Sequence, residues 1–445
     1  MGPEGGHGIG SIRFDREMGS AIVGGSMAQT ARTAVEKLPP ALMTDEINGP
    51  LQEAVAADLG TLVDLYKWFH ANAELSFKEE KTAARFAAEV KAAGWEVTEK
   101  VGVTGVVGLL RNGPGPTVLA RIDMDGLPVK EQTGLAYAST SGVMHACGHD
   151  SHITIGIGAA RALSKLRDRW AGTVLLVGQP AEELGRGALQ MIADPRFQEL
   201  VREKPIACLS VHDYPSPAGK IGVCPGYATA NVDTIDILIH GHGGHGAWPH
   251  LTVDPIVIGA QIVMALQTIV SRKVAPGTKS VVTIGSFQAG AKHNVIPPEA
   301  KLQLTVRSYE EETREKLLAE IQRIAVKVSE AHGVPRPTEV KFVDEYTPAG
   351  YHEPSFSRRM RDVFERLLGK ELVYTADPMM GGEDFSRFPK HFGVPGLQFR
   401  VGGARPGHDA KIGLHSEFWS VDPEPTLRSG TAAMARALLD LLTPR

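Results

Sequence analysis

Cysteine is scarce in this chain: three in 445 residues, at Cys147, Cys208 and Cys224. An odd trio builds no disulfide framework and leaves at least one thiol unpaired. No run reads as long and apolar enough to span a bilayer, and the N-terminal stretch lacks the continuous apolar core of a signal peptide. Excess charge is missing too. The 47 Lys and Arg against 51 Asp and Glu leave a formal net charge of −4, so neither a nucleic-acid partner nor a polybasic membrane contact is expected. Internal repeats and low-complexity tracts are absent as well. What remains is an ordinary globular composition, 42% hydrophobic and 22% charged, with a generous 16 histidines. The length calls for two or three domains. The expected compartment is the cytoplasm, or the periplasm if a native signal peptide has been lost.

Residues 1–50 carry scattered Gly, Pro and charges and are read as a poorly defined leader, with Met1–Met27 set aside from the fold. From Leu51 the pattern is regular. "LQEAVAADLGTLVDLYKWFHANAEL" and "EEKTAARFAAEVKAAG" have helical periodicity, the second stopping at Gly94. Strands "GVVGLLR", "PTVLARIDMD", "GTVLLVGQP" and "IACLSVHD" alternate with helices near Ser151–Leu166 and Gly187–Ala193, which predicts an α/β sheet between helices. Residues 229–345 differ. "NVDTIDILIHG" alternates Ile235, Ile237 and Ile239, and the order strand, helix, two strands, helix, strand reads as a smaller α+β unit. The α/β texture returns over 346–445. The expected organisation is a catalytic domain (51–228 and 346–445) interrupted by an inserted domain.

Chemistry collects after the strands, where open α/β sheets place their ligands. In "VMHACGHDSHIT", Cys147 and His149 are two residues apart and both suit a borderline metal. Alone, the pair is as easily a buried thiol beside a loop imidazole. His145 and His152 read as supporting groups, and Asp150 as a cap of the following helix. "GQPAEELGRGA" puts Glu182 beside Glu183. Adjacent carboxylates repel and call for a cation or a proton, so one can ligate while the other serves as general base. Alone, they are equally a solvated acidic pair at a helix N-terminus. His212 ends an apolar strand, Asp123 and Asp125 share one face of another, and His415 precedes the last helix. Together these exceed the needs of one tetrahedral ion and favour a two-metal site.

Seven motifs then occur in order: "ARIDMDGLPVKEQTG", "MHACGHDSHIT", "QPAEELGRGA", "HGGHGAWPH…DP", "HNVIPPEAKLQLTVRSY", "GGEDFS" and "LHSEF". By these the chain resembles, over Leu51–Leu442, the dinuclear metallo-amidohydrolases that include hippurate hydrolase, auxin-conjugate amidohydrolases and N-acyl-amino-acid hydrolases. Aminoacylase and carboxypeptidase G are more distant relatives. The resemblance implies a zinc-peptidase-like catalytic domain with an inserted dimerisation or lid domain. It implies two divalent ions per subunit (manganese, zinc, cobalt or nickel), with Cys147 as the bridging ligand and His149, Glu183, His212 and His415 as the others. Glu182 becomes the general base. Asp125, Glu383 and Asp384 support the site from behind, and the role of Asp123 stays open, because relatives with His-x-Asp carry a ligand there. His245 matches a histidine that reaches into a partner subunit's site, and Asn294 and Arg307 match groups that hold a substrate carboxylate. Trp248 is read as packing.

The expected activity is metal-assisted hydrolysis of a small-molecule amide, an N-acyl amino acid giving a carboxylic acid and an amino acid, by a homodimer or higher homo-oligomer. A dipeptidase or carboxypeptidase on the same site is the alternative. A non-catalytic metal-binding scaffold is the reading from another class, opposed by the spare Glu182.

Overall fold

Two kinds of apolar patterning build two separate sheets. A computed structural model describes residues 32–36, 38, 44–343 and 345–444; the leader reading of Met1–Met27 lies outside the described residues. The first sheet has eight strands: β1 (Glu96–Val101), β2 (Gly105–Arg111), β3 (Thr117–Asp123), β4 (Thr173–Gln179), β5 (Cys208–Pro217), β6 (Ile221–Val223), and, after the second sheet, β13 (Val373–Thr375) and β14 (Gly396–Ala404). Their spatial order is β1-β2-β4-β3-β5-β14-β6-β13. The central strands β4, β3, β5 and β14 run parallel. Buried on both faces, they read as nearly continuous apolar runs.

One face carries Val118, Ala120, Ile122, Leu209, Phe399 and Val401. It packs under helices α3 (His149–Lys165) and α10 (Pro423–Leu441), and α1 (Asn48–Ala71) lies against those two helices. In α1 the three- and four-residue spacing of Leu51, Val55, Leu59, Leu62 and Phe69 makes the stripe that meets them. The other face carries Leu119, Leu175 and Val177 against Met191 and Phe388 of the short helices α4 (Gly187–Ala193) and α9 (Arg387–Phe392). Helix α2 (Glu80–Ala92) flanks the β1–β2 edge. Strand β1 was not expected, because "EVTEKV" is an edge strand with only Val101 buried.

The second sheet orders β9 (Ser280–Ala289), β11 (Glu299–Ser308), β7 (Asn231–His240) and β12 (Glu339–Phe342), all antiparallel. The alternating Ile235, Ile237 and Ile239 face Leu302, Leu304 and Val306 and the helices α6 (Pro255–Thr268) and α7 (Glu311–Ala331). A two-strand ribbon, β8 (Gly244–His245) with β10 (Val295–Ile296), stands beside it.

One expectation needs correcting. Pro255–Lys273 is 19 residues and, by length and composition, apolar enough to cross a membrane. It is α6 prolonged by a π turn, Ile269–Lys273, and only one of its faces, with Ile258, Ile262, Leu266 and Ile269, is buried on the sheet. Met264 and Val257 remain exposed. The run was overlooked because Gln261, Gln267 and Thr268 interrupt it.

Candidate active site

The thiol of Cys147 stands at the centre. Cys147 sits in the loop ahead of α3, with its sulfur 3.3 Å from His415 Nε2 and 3.6 Å from His212 Nε2. His415 Nε2 is 3.6 Å from Glu183 Oε1. His149 Nε2 lies 3.9 Å from Glu182 Oε2 and 3.9 Å from Glu183 Oε1. Two triads result, Cys147–His149–His212 and Cys147–Glu183–His415, each with its donor atoms within 4.8 Å of one another. They share the sulfur.

The donor set fits two divalent cations. Zn–S near ~2.3 Å and Zn–N near ~2.0 Å at a tetrahedral angle put sulfur and nitrogen about 3.5 Å apart, the spacing found here. Buried polar atoms normally have partners. Yet among the described residues His149 Nε2 and Glu183 Oε1 have none, and both point into this cluster.

The ligand-type side chains are held from behind. His149 Nδ1–H donates to the backbone oxygen of Asp125 at 2.8 Å, and His212 Nδ1–H to that of Asp213 at 2.7 Å. Each leaves a lone pair on Nε2 facing the sulfur. Burial also drives His212 down to about 4, which keeps it neutral. Asp125 accepts the backbone N–H groups of Glu182 (3.0 Å) and Glu183 (3.2 Å) and the Ser76 hydroxyl (2.6 Å). It therefore sets both carboxylates at once. Gly148 takes φ 79° where α3 begins, and a methyl group there would stand 2.2 Å from the Asp213 carboxylate. Ala181 (φ 49°) and His415 (φ 68°) adopt left-handed backbone without being glycine, a strain that collects at functional sites.

The expectation that Asp150 caps the helix is not met. It lies one residue inside α3, accepts from Ser151 N–H at 2.8 Å, and pairs with His70 at 2.6 Å. His70, also 2.9 Å from Glu131, is lifted to about 9 because these two carboxylates outweigh its burial.

Behind Glu182 lies a buried charge network centred on Arg121, which the sequence reading missed. Arg121, fully buried on β3, pairs with Asp123 (2.6 Å), Glu383 (3.0 Å) and Asp384 (3.0 Å), and donates to Gln179 at 2.8 Å. Asp384 further accepts from Gln179 (2.7 Å) and Ala188 N–H (3.0 Å), and Glu383 from Gln398 (2.5 Å). The signal was an arginine at the i−2 position of "RIDMD", sharing the face of Asp123. Burial, then Glu383, Glu183 and Asp384, push Glu182 well above the usual carboxylate range. Burial likewise lifts Asp384 to about 7. A raised carboxyl beside a set of metal-ligand side chains is what proton transfer at neutral pH needs. Burial and the Glu183 carboxylate push the Cys147 thiol up, which only a bound cation would offset.

Asp123 belongs to neither of the two triads that share the sulfur, although its Oδ2 lies 3.8 Å from His149 Nε2. It accepts from His152 Nδ1 at 2.6 Å. Two carboxylates around His152 raise it to about 9 despite burial, but the Asp213 N–H points at its Nε2 at 2.7 Å. That contact is shorter than the 3.2 Å to Asp213 Oδ1 and requires a lone pair, so the neutral ring fits better. Asp123 thus serves Arg121 and His152.

The remaining expected residues lie on the second sheet and its ribbon. His245 is exposed on β8, opposite Val295. The carbonyl of Asn294 accepts Gly246 N–H at 2.8 Å. Neither joins the Cys147 cluster by a hydrogen bond among the described residues. Arg307 is half-buried on β11 and donates from Nε to Thr305 Oγ1 at 3.0 Å. Its Nη1 would stand 3.6 Å from a methyl group at Gly382, so it reaches the "GGEDF" loop. Trp248 does not pack: it is 59% exposed, and among the described residues the ring beside it is that of His245, at 5.1 Å.

Residues 119–440 match the sequence profile of Peptidase family M20/M25/M40. The chain is 36% identical over 383 residues to a protein of Saccharolobus solfataricus named thermostable carboxypeptidase 2, covering 85% of this chain and 94% of that one. It is 39% identical over 291 residues to the N-acyl-L-amino acid amidohydrolase of Geobacillus stearothermophilus, covering 64% and 77%. A crystal structure of the Bacillus subtilis YXEP protein, described as a dinuclear metal binding peptidase, is similar with a TM-score of 0.72 at 29% identity, covering 86% of this chain and 98% of that one.

Proposed function

Because the chain belongs to peptidase family M20/M25/M40, we propose that it is a metal-dependent amidohydrolase that cleaves N-acyl amino acids to a carboxylic acid and an amino acid. The observation that carries the proposal is the position of Glu182, beside two ligand triads that share the Cys147 sulfur. Two divalent ions bound by Cys147, His149, Glu183, His212 and His415 would polarise the amide carbonyl and lower the pKa of a water. Glu182 takes one proton from that water as its oxygen attacks the carbonyl carbon. The same carboxyl then gives the proton to the nitrogen as the C–N bond breaks. Asp125 keeps Glu182 and Glu183 in register through their backbone N–H groups.

In this reading Asn294 and Arg307 hold the carboxylate of the amino acid half, Arg307 by a bidentate fork. His245 completes the oxyanion site of a second copy of the chain. The exposed apolar side chains Trp248, Leu251, Ile256, Val257 and Met264, and the position of β9 at the edge of its sheet among the described residues, support a homodimer through this region. Met264→Glu should then shift the chain toward monomer in analytical ultracentrifugation and cut activity with it. An unchanged dimer would remove this interface.

The ion is manganese, zinc, cobalt or nickel; thiolate and imidazole favour the softer three. The name of the S. solfataricus relative favours one second reading, a carboxypeptidase or dipeptidase on the same site. The test is amino acid release from N-acetyl-, N-benzoyl- and indole-acetyl-amino acids and from dipeptides, after stripping and reloading with each metal. Metal-dependent release that Glu182→Gln abolishes supports the proposal. Release from dipeptides alone favours the second reading, and no release under any metal overturns both.

A further inference from the structure

Arg400 is a cation without an anion. It lies on β14 as the register partner of His212 on β5, so it stands next to the metal-ligand cluster. Its guanidinium lies 4.4 Å over the Tyr214 ring. It is half-buried, and among the described residues it makes no hydrogen bond and no ion pair. Tyr214 is itself fixed, donating its hydroxyl to Met379 Sδ at 3.6 Å. A guanidinium carries five donors and no acceptor. Leaving all five unmatched at a half-buried position costs free energy that an anionic ligand would recover.

Arg307, which donates only to Thr305 Oγ1 among the described residues, likewise has no carboxylate partner there, at the other end of the same loop. It contacts the loop at Gly382, whereas Tyr214 contacts it at Met379. The neighbouring Asp233 is already engaged by Arg314 at 2.7 Å. Two guanidinium groups without carboxylate partners therefore flank the 379–382 segment, one on each sheet, with the Cys147 cluster beside the Arg400 end.

We propose that Arg400, stacked on Tyr214, binds a second carboxylate of the substrate, so that the preferred amide is a dianion held by Arg307 at one end and Arg400 at the other. The proposal rests on the amidohydrolase reading for the position of the scissile bond. The second carboxylate has two possible sources: the far end of a dicarboxylic acyl group, or an acidic side chain on the amino acid.

Paired substrates separate the sources. N-Succinyl-L-alanine is compared with N-butanoyl-L-alanine, and N-acetyl-L-glutamate with N-acetyl-L-glutamine, on the metal-loaded protein. One pair should favour the dianion by about 10- to 100-fold in kcat/KM, the range of a charge-assisted contact, and mostly through KM. That ratio should collapse toward one in Arg400→Met and survive in part in Arg400→Lys. Calorimetric titration of succinate against butanoate, and of L-glutamate against L-glutamine, gives a readout that needs no turnover. Tighter dicarboxylate binding that Arg400→Met removes, with no amide hydrolysed, would keep the subsite and sink the amidohydrolase reading. Hydrolysis with no preference in either pair of the wild type, or a preference that persists in Arg400→Met, would overturn the subsite.

Discussion

The four-stranded sheet is held by Ile235, Ile237, Ile239, Leu302, Leu304 and Val306 under two helices, and it keeps pairs such as Lys301–Asp236 and Arg336–Glu299 on its partly exposed side. The eight-stranded sheet has the larger apolar core, yet along β3, β4 and β5 it buries Arg121, Asp123, Gln179 and Asp213, with Asp125, His149, His152 and Asp384 beside them. The first arrangement needs only shape and area to be stable. The second must satisfy every buried charge, because one unpaired ion costs several kcal/mol. It tolerates that risk where the chemistry requires ligands and a base at fixed positions. The difference teaches where to expect function: where the polarity is buried and largely matched, and where two of the unpartnered atoms, His149 Nε2 and Glu183 Oε1, open toward one point.

Variants can break this contrast. The largest effect belongs to Glu182→Gln, which should lower kcat by about 10²- to 10⁴-fold while metal content by mass spectrometry stays at the wild-type level; wild-type turnover would remove Glu182 as base. Next is Arg121→Met, which leaves Asp123, Glu383 and Asp384 uncompensated and should cost about 3–5 kcal/mol in urea unfolding.

Acid should act on the same region. His352 donates from Nδ1 to Cys224 O at 2.9 Å and accepts Gln398 N–H at its Nε2 at 3.1 Å, so the folded protein needs the neutral ring, and burial lowers it to about 4. A lowered histidine contributes stability that is present above its unfolded value and lost as pH falls from about 6.5 to about 4, roughly 3 kcal/mol in all. His352→Gln should flatten that part of the urea-midpoint profile, and an unaltered slope would exclude His352 as the acid-sensitive group. Ile237→Val, in the other core, should cost about 0.5–1.5 kcal/mol, and Arg336→Ala, at the surface, about 0–1 kcal/mol. If Ile237→Val matched Arg121→Met, the contrast between the two sheets would be lost.

Much of this was legible because local pattern and chemistry agreed. Period-two isoleucines announced β7, helical stripes announced α1 and α7, and Cys147-x-His149, Glu182–Glu183 and His415 stood after predicted strands and His212 at the expected end of one, although β5 runs on to Pro217; their side chains meet around one sulfur. What was not legible is set by distance in the chain. Asp150 looked like a cap, but His70, 80 residues away, claims its carboxylate. Arg121 meets Asp384 across 263 residues, a pairing no window can reveal. Arg400 sat inside an apolar strand, and only the register of β14 against β5 sets it beside His212. Strand β1 escaped because an exposed edge has no burial pattern to read.

The central claim is that one sulfur serves two ions. The most direct test is metal stoichiometry by mass spectrometry on cobalt-loaded protein, with the thiolate-to-cobalt absorption recorded alongside, for the wild type and Cys147→Ala. The account predicts two ions per chain and a thiolate band in the wild type, with the band gone and fewer than two ions in the variant. Two ions retained in Cys147→Ala, or no thiolate band in the fully loaded wild type, would contradict it.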